Sequence, residues 1–180
     1  IYGLLGMMLL NPLLYKMEKR IFANSTTHQF TGGANLLAAI IVLAIMILPT
    51  VISISVSSLR AVPAHLKSAS LALGATHIQT IFKVLIPAAK SGILAGVVLG
   101  IGRAIGETMA VIMVAGNQPR MPKGLLQGVR TMTANIVTEM GYASGLHREA
   151  LIATGVVLFV FILIINLSLS LLNRRAEYAN

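Results

Sequence analysis

From Thr31 to Leu59 the chain runs for 29 residues without a charged side chain. Coiled at about 1.5 Å per residue, such a run reaches about 43 Å, more than the roughly 30 Å hydrocarbon core of a bilayer. Composition agrees: 56% of the 180 residues are hydrophobic, 11% are charged, and the mean hydropathy is +0.85. That is far more apolar surface than one soluble core of this length needs. The expected fold class is all-α, a polytopic integral membrane helix bundle.

Other uncharged stretches extend the pattern. Ala150–Asn173 supplies 24 residues and ends at Arg174 and Arg175, which suit a headgroup anchor. Ser91–Asn117 is 27 residues long and apolar apart from Arg103 and Glu107. Ile1–Tyr15 is too short to span, about 22 Å as a helix, and reads as the remnant of a transmembrane helix cut at its N-terminus. The chain opens inside this apolar run, with neither an initiating methionine nor a signal-peptide flank, so the expectation is an N-terminally truncated domain. A single membrane domain over 1–180 is expected. Its order is the remnant 1–15, a loop 16–33, a transmembrane helix 34–59, a connecting segment 60–90, a helix 91–117, a segment 118–148, a helix 149–172 and a tail 173–180. Pro49, inside the first full span, removes a backbone donor and should bend it.

The net charge of +9 comes from basic residues scattered through the connections, without the aromatic-interleaved basic face of a nucleic-acid binder. It fits headgroup anchoring and an anionic substrate. With seven basic residues on one side and six on the other, charge bias does not set the orientation. The absence of cysteine excludes disulfides and thiolate metal sites. His28, His65, His77 and His147 lack ligand spacing, so neither a metal nor another cofactor is expected. No nucleophile–base set, phosphate loop or paired carboxylates point to an enzyme.

Between the first two full spans, Gly74 can end one short helix in the left-handed conformation. Thr76 then begins another, with Gln79 three residues on as the second half of a capping box. Ile78, Ile81, Phe82 and Leu85 follow at amphipathic spacing until Pro87 stops the pattern. On these residues alone, the second helix suits either the lipid interface or a cytoplasmic docking partner.

The remaining anomaly is "GIGRAIGETMAV". A charge at the bilayer centre costs about 2.5–3.5 kcal/mol, against about 0.3–0.6 kcal/mol gained per aliphatic residue, so two charges need a partner or water. Read as one continuous helix, 91–117 places Gly92, Gly96, Gly100, Arg103 and Glu107 within an arc of about 80°, with Gly106 on its flank. Small residues admit a neighbouring helix closely, so the charges are expected to face protein. The i, i+4 spacing permits an Arg103–Glu107 pair. Such a pair suits a packing device, or a site in which Arg103 binds an oxyanion and Glu107 holds the guanidinium when the anion is absent.

Three stretches resemble known sequences. "SASLALGATHIQTIFKVLIPAA" is similar to the coupling-loop signature of ABC importer permeases, with Ala69, Gly74 and Pro87 in register, Ser68 where the signature has glutamate and Ile86 where it has leucine. "GILAGVVLGIGRAIGETMAVIMVAGN" and "RTMTANIVTEMGYASGLHREAL" resemble the phosphate-specific permeases of type I ABC importers, the PstC type, with similarity from about Leu36 to Leu172. The resemblance implies an importer subunit for inorganic phosphate, multi-pass in a bacterial or archaeal plasma membrane, which does not itself hydrolyse ATP. Implied partners are a second, homologous permease of the PstA type, an ATP-binding cassette ATPase dimer and an extracytoplasmic phosphate-binding protein. It places 60–90 in the cytoplasm, with Ala69, Gly74, Ala75, Thr76, Phe82 and Pro87 coupling to the ATPase, and associates Arg103 and Glu107 with phosphate translocation. The alternatives are a permease for sulfate or molybdate and a membrane scaffold with a structural Arg–Glu pair.

Overall fold

A computed structural model describes residues 2–23 and 30–178, with 169 and those from 172 onward described by backbone alone. His28 and part of the expected 16–33 loop lie outside the described residues, as do Ile1 and the last two residues. Among the described residues every regular element is helical, and the one β contact is an isolated parallel bridge between Gly116 and Val129. The all-α class holds. Leu36–Arg60 and Leu146–Ser168 are long and apolar enough to cross a bilayer. The pair His77–Ala88 and Lys90–Gly106, bent by 66°, adds a third if it counts as one span.

The chain divides into two compact units, Ile1–Met46 with Ala104–Ile162 and Ile47–Arg103 with Leu163–Asn180. The first begins with α1 (Tyr2–Leu5), a π-helical turn (Gly6–Leu10) and α2 (Asn11–Ile21). This helical stretch carries on past Tyr15, where the remnant helix was expected to end, because the residues after it are good helix formers and Lys19 and Arg20 sit favourably at the C-terminal end of the dipole. Its small face packs against α8 (Met109–Val114): a Cβ on Gly3 would lie 2.9 Å from the Ala110 Cα, and one on Gly6 3.0 Å from Val114 Cγ1. Leu14, Ala38, Ala39, Val42, Val111 and Val114 form the buried centre of this unit.

The start of α3 (Leu36–Arg60) shows how an exposed helix end is satisfied. Asn35 is fully buried, and its Oδ1 accepts from the Ala38 N–H at 2.9 Å. The next donors go to the 118–131 segment: Leu36 N–H to Gln127 O and Leu37 N–H to Leu125 O, both 2.9 Å. An uncapped helix would leave these groups without partners. Glu18, with no exposed surface, accepts from the Thr31 N–H at 3.0 Å and so fastens the other side of the corner.

In the second unit, α4 (Ala64–Ala72) ends in a Schellman turn. Gly74 has φ +83°, its N–H donates to Leu71 O at 3.0 Å, and the Ala75 N–H donates to Ser70 O at 3.2 Å. The capping box forms in both directions, Gln79 N–H to Thr76 Oγ1 at 3.3 Å and Thr76 N–H to Gln79 Oε1 at 3.0 Å, and opens α5 (His77–Thr80). Ser70 and Thr80 join the two helices through their hydroxyls at 3.0 Å. Pro87 does not stop the helix as the sequence suggested. The chain widens into a π turn over Ile81–Leu85, the N–H of Ile86 reaches back to Ile81 O, and Pro87 sits in the first turn of α6 (Ile86–Ala88), where its missing donor is harmless. The bend follows at Ala89.

The continuous helix expected over Ser91–Asn117 is in fact broken. α7 (Lys90–Gly106) stops at Gly106, and α8 begins at Met109. Gly106, Glu107 and Thr108 explain the stop: glycine weakens the helix, and the next two side chains bond to nearby backbone instead. Thr108 Oγ1 donates to Gly106 O at 3.3 Å, and Glu107 Oε1 accepts from the Ala110 N–H at 3.2 Å. α3, by contrast, runs through Pro49 as one element.

α7 lies on α3 through its glycines. A Cβ on Gly92 would meet the Ser58 side chain, one on Gly96 would lie 3.0 Å from Ile54 Cγ2, and one on Gly100 2.6 Å from Ile47 Cγ2 and 2.7 Å from Val51 Cγ2. Gly106 has nothing within 4 Å of that position and takes no part in this contact. Gly100→Leu should therefore force the helices apart at a cost of about 1–3 kcal/mol, while Gly106→Ala should be neutral or slightly stabilising. Thermal unfolding of the two variants in detergent, side by side, checks the contrast.

Candidate functional site

In the second unit a groove of about 690 Å³ opens between α7, α3 and α10 (Leu146–Tyr178). Val98 and Leu99 supply apolar wall, and Arg103 enters from the last turn of α7. Three neutral polar residues share the lining: Thr50 on α3, and Asn166 and Ser170 one turn apart on α10. No carboxylate is among the residues that line it. A lone guanidinium among amide and hydroxyl groups attracts an anion and offers it several donors.

Glu107 does not line this groove. The geometry that was to pair it with Arg103 assumed a helix through both residues, and α7 ends between them. Its carboxylate serves instead at the head of α8, accepting from Ala110. Sequence reading missed Thr50, Asn166 and Ser170 because it scored charge, and these residues are uncharged. The signal available was an amide and a hydroxyl at i, i+4 within "FILIINLSLS".

A second polar cluster, also missed, belongs to the first unit. Arg130 Nε donates to Asn117 Oδ1 at 2.9 Å, while one terminal nitrogen donates to Asn135 Oδ1 at 3.3 Å and to Glu139 Oε1 at 2.8 Å. Asn117 reaches this position from a left-handed backbone, φ +46°. Glu139 and Arg130 join across α9 (Met132–Glu139), whose N-cap is Thr131, and His147 Nε2 stands 3.5 Å from the other carboxylate oxygen. A hydrogen bond from Tyr142, followed by the Arg130 hydrogen bond and charge, holds the Glu139 carboxyl below its usual value of 4.5, and the same bond raises Tyr142 above 10.0.

Of the residues expected to couple to an ATPase, Gly74, Ala75 and Thr76 form the turn between α4 and α5, with Ala69 and Phe82 on the two arms. Leu73 is 89% exposed, Ile78 70% and Phe82 67%, so the apolar side of this element is bare rather than packed on its own unit.

Comparison with known sequences fits this picture. Residues 4–178 match the family described as "Binding-protein-dependent transport system inner membrane component". The chain belongs to this family. It is therefore a multi-pass membrane component of a transport system rather than an enzyme, and the resemblance noted above holds. It is 40% identical over 171 residues to the "Probable ABC transporter permease protein YqgH" of Bacillus subtilis (strain 168), covering 92% of this chain and 52% of that protein. It is 35% identical to the "Phosphate transport system permease protein PstC" of Pasteurella multocida (strain Pm70), covering 89% and 53%, and 36% identical to that of Mesorhizobium japonicum, covering 92% and 54%. The chain spans about half the length of the curated relatives it matches. No solved structure matches it.

The Arg130 cluster has a defined pH window. With the Glu139 value depressed, its contribution is complete above 4.5 and is lost as pH falls through the lowered value; with Tyr142 raised, that contribution is complete below 10.0 and is lost as pH rises through the raised value. Hydrogen exchange of 131–142, corrected for its intrinsic pH dependence, should thus speed up as pH falls below 4.5 and as it rises above 10.0. Glu139→Gln should speed it several-fold at neutral pH.

Proposed function

We propose that this chain is a permease subunit of an ATP-driven importer of inorganic phosphate in a bacterial or archaeal plasma membrane. The observation that carries the reading is Arg103 in a groove lined otherwise by neutral polar and apolar side chains. Its planar fork can donate two parallel hydrogen bonds to a tetrahedral oxyanion. The printed function of the PstC relatives supports phosphate over sulfate or molybdate. Glu107 is proposed to act in translocation by holding the head of α8 and so fixing the break after Gly106.

By the same reading, the chain works with a homologous second permease, an ATPase dimer and an extracytoplasmic phosphate-binding protein. Segment 60–90 would face the cytoplasm, with the bare side chains of Leu73, Ile78 and Phe82 entering the ATPase. Segments 16–33 and 118–148 would face outward. A scaffold role gives no account of a guanidinium with no carboxylate among the residues lining its groove, in an apolar helix where a charge costs about 2.5–3.5 kcal/mol.

Arg103→Gln in the assembled importer should lower phosphate uptake by about ten- to a hundred-fold, the worth of a charged hydrogen bond of about 1.5–3 kcal/mol. Radiolabelled phosphate uptake, scored with co-purification of the partner subunits, measures this; wild-type uptake from an intact complex refutes the anion role. Excess sulfate competing as well as phosphate would refute the substrate. Gly74→Val faces no steric neighbour but must hold φ +83°, which costs a branched residue about 1–2 kcal/mol. Insertion should be normal and ATP hydrolysis should persist, with uptake per ATP reduced.

A further inference from the structure

We propose that Asn166, with Ser170 one turn further along α10, forms the neutral half of the anion site and distinguishes protonated from fully deprotonated oxyanions. The inference rests on the reading of Arg103 as the anion contact.

α10 is otherwise dressed for lipid: Phe159, Phe161, Ile164 and Leu167 are all exposed aliphatic or aromatic side chains. Polar groups on such a helix normally satisfy themselves on their own backbone, as Ser168 does by donating to Ile164 O at 2.8 Å. Asn166 behaves differently. Among the described residues its amide has no side-chain hydrogen-bond partner, and neither has the Arg103 guanidinium. Both line the same groove, and a Cβ on Gly102 would lie 3.8 Å from Asn166 Oδ1, so the amide is separated from α7 by a residue with no side chain.

Unpaired polar groups gathered at membrane depth need water or a ligand. An amide has two donors and an acceptor, and a hydroxyl has both capacities. Near neutral pH, hydrogen phosphate has oxygens that accept and one O–H that must donate, whereas sulfate only accepts. Arg103 can serve both anions, since it donates only. The Asn166 carbonyl oxygen or the Ser170 hydroxyl can receive the phosphate O–H; sulfate brings no O–H, so against it these acceptors lose that bond and must turn an N–H or O–H toward the anion instead. Specificity then arises inside the membrane without a carboxylate, whose charge would repel either anion.

The chain contains no cysteine, so a single introduced thiol reports on its own position. In the assembled importer, Asn166→Cys and Ser170→Cys should react with a membrane-impermeant cationic methanethiosulfonate, and Leu167→Cys, exposed on α10 but outside the groove lining, should not. Saturating inorganic phosphate should slow labelling at 166 by about ten-fold, and sulfate at the same concentration by less than about two-fold. Asn166→Leu should lower phosphate uptake by about ten-fold with the complex still assembled. Unreactive thiols, labelling indifferent to phosphate, equal protection by sulfate, or undiminished uptake by Asn166→Leu would each overturn the inference. If Arg103→Gln abolishes uptake in the same series, the importer reading survives that failure. If Arg103→Gln transports normally, both fall.

Discussion

A peptide group in hydrocarbon has no water to turn to, and each one left unpaired costs several kcal/mol. Much of what is irregular in this chain follows from that constraint. Where α3 begins, a buried asparagine and two carbonyls from the 118–131 segment take up its first donors. Where α7 breaks, Glu107 and Thr108 pair with the freed backbone. At both of these irregularities a side chain or a neighbouring loop supplies the partners.

The same constraint separates the two charges of "GRAIGE". On one helix they would neutralise each other, and a desolvated pair contributes little net stability. Ending α7 at Gly106 gives the carboxylate a backbone N–H to accept from and leaves the guanidinium in the groove. A cation without a resident carboxylate is costly to keep in an apolar setting, and that cost makes it a good receptor for an anion. The glycines contribute indirectly. By seating α7 against Ile47, Val51 and Ile54, they fix the position of the helix that carries Arg103.

What could be read from the sequence was whatever depends on neighbours within a few residues. The Schellman turn at Gly74 and the box between Thr76 and Gln79 are local, and both formed as their residue types dictate. Hydropathy found α3 and α10 because an uncharged run has one solution in a bilayer. It failed at Glu107, since averaging over 91–117 hides two residues whose side chains compete with the helix. It also passed over Asn166, which counts as uncharged yet carries the strongest neutral hydrogen-bonding group in its span. The Arg130 cluster joins residues 117, 130, 135, 139 and 147, whose meeting depends on the turn at Asn117 and on where α9 ends. Spacing along the chain contains no trace of that meeting.

The turn at Gly74 and the groove belong to one compact unit, which bears on the proposed coupling of an ATPase to the proposed anion site. From Lys90 to Arg103 the chain is a single helix, about 20 Å of stiff rod. At one end is the 66° bend to α5–α6, at the other the guanidinium. Close packing through Gly92, Gly96 and Gly100 leaves little room to absorb a push by local repacking. A displacement of the bare turn at Gly74 would therefore arrive at Arg103 as movement of the whole helix against α3. The groove wall on α10 carries Asn166 and Ser170, so such movement would change the spacing between the charged and neutral halves of the site. On the proposed reading, a change in that spacing would convert a binding groove into a releasing one, with no change in the residues that line it.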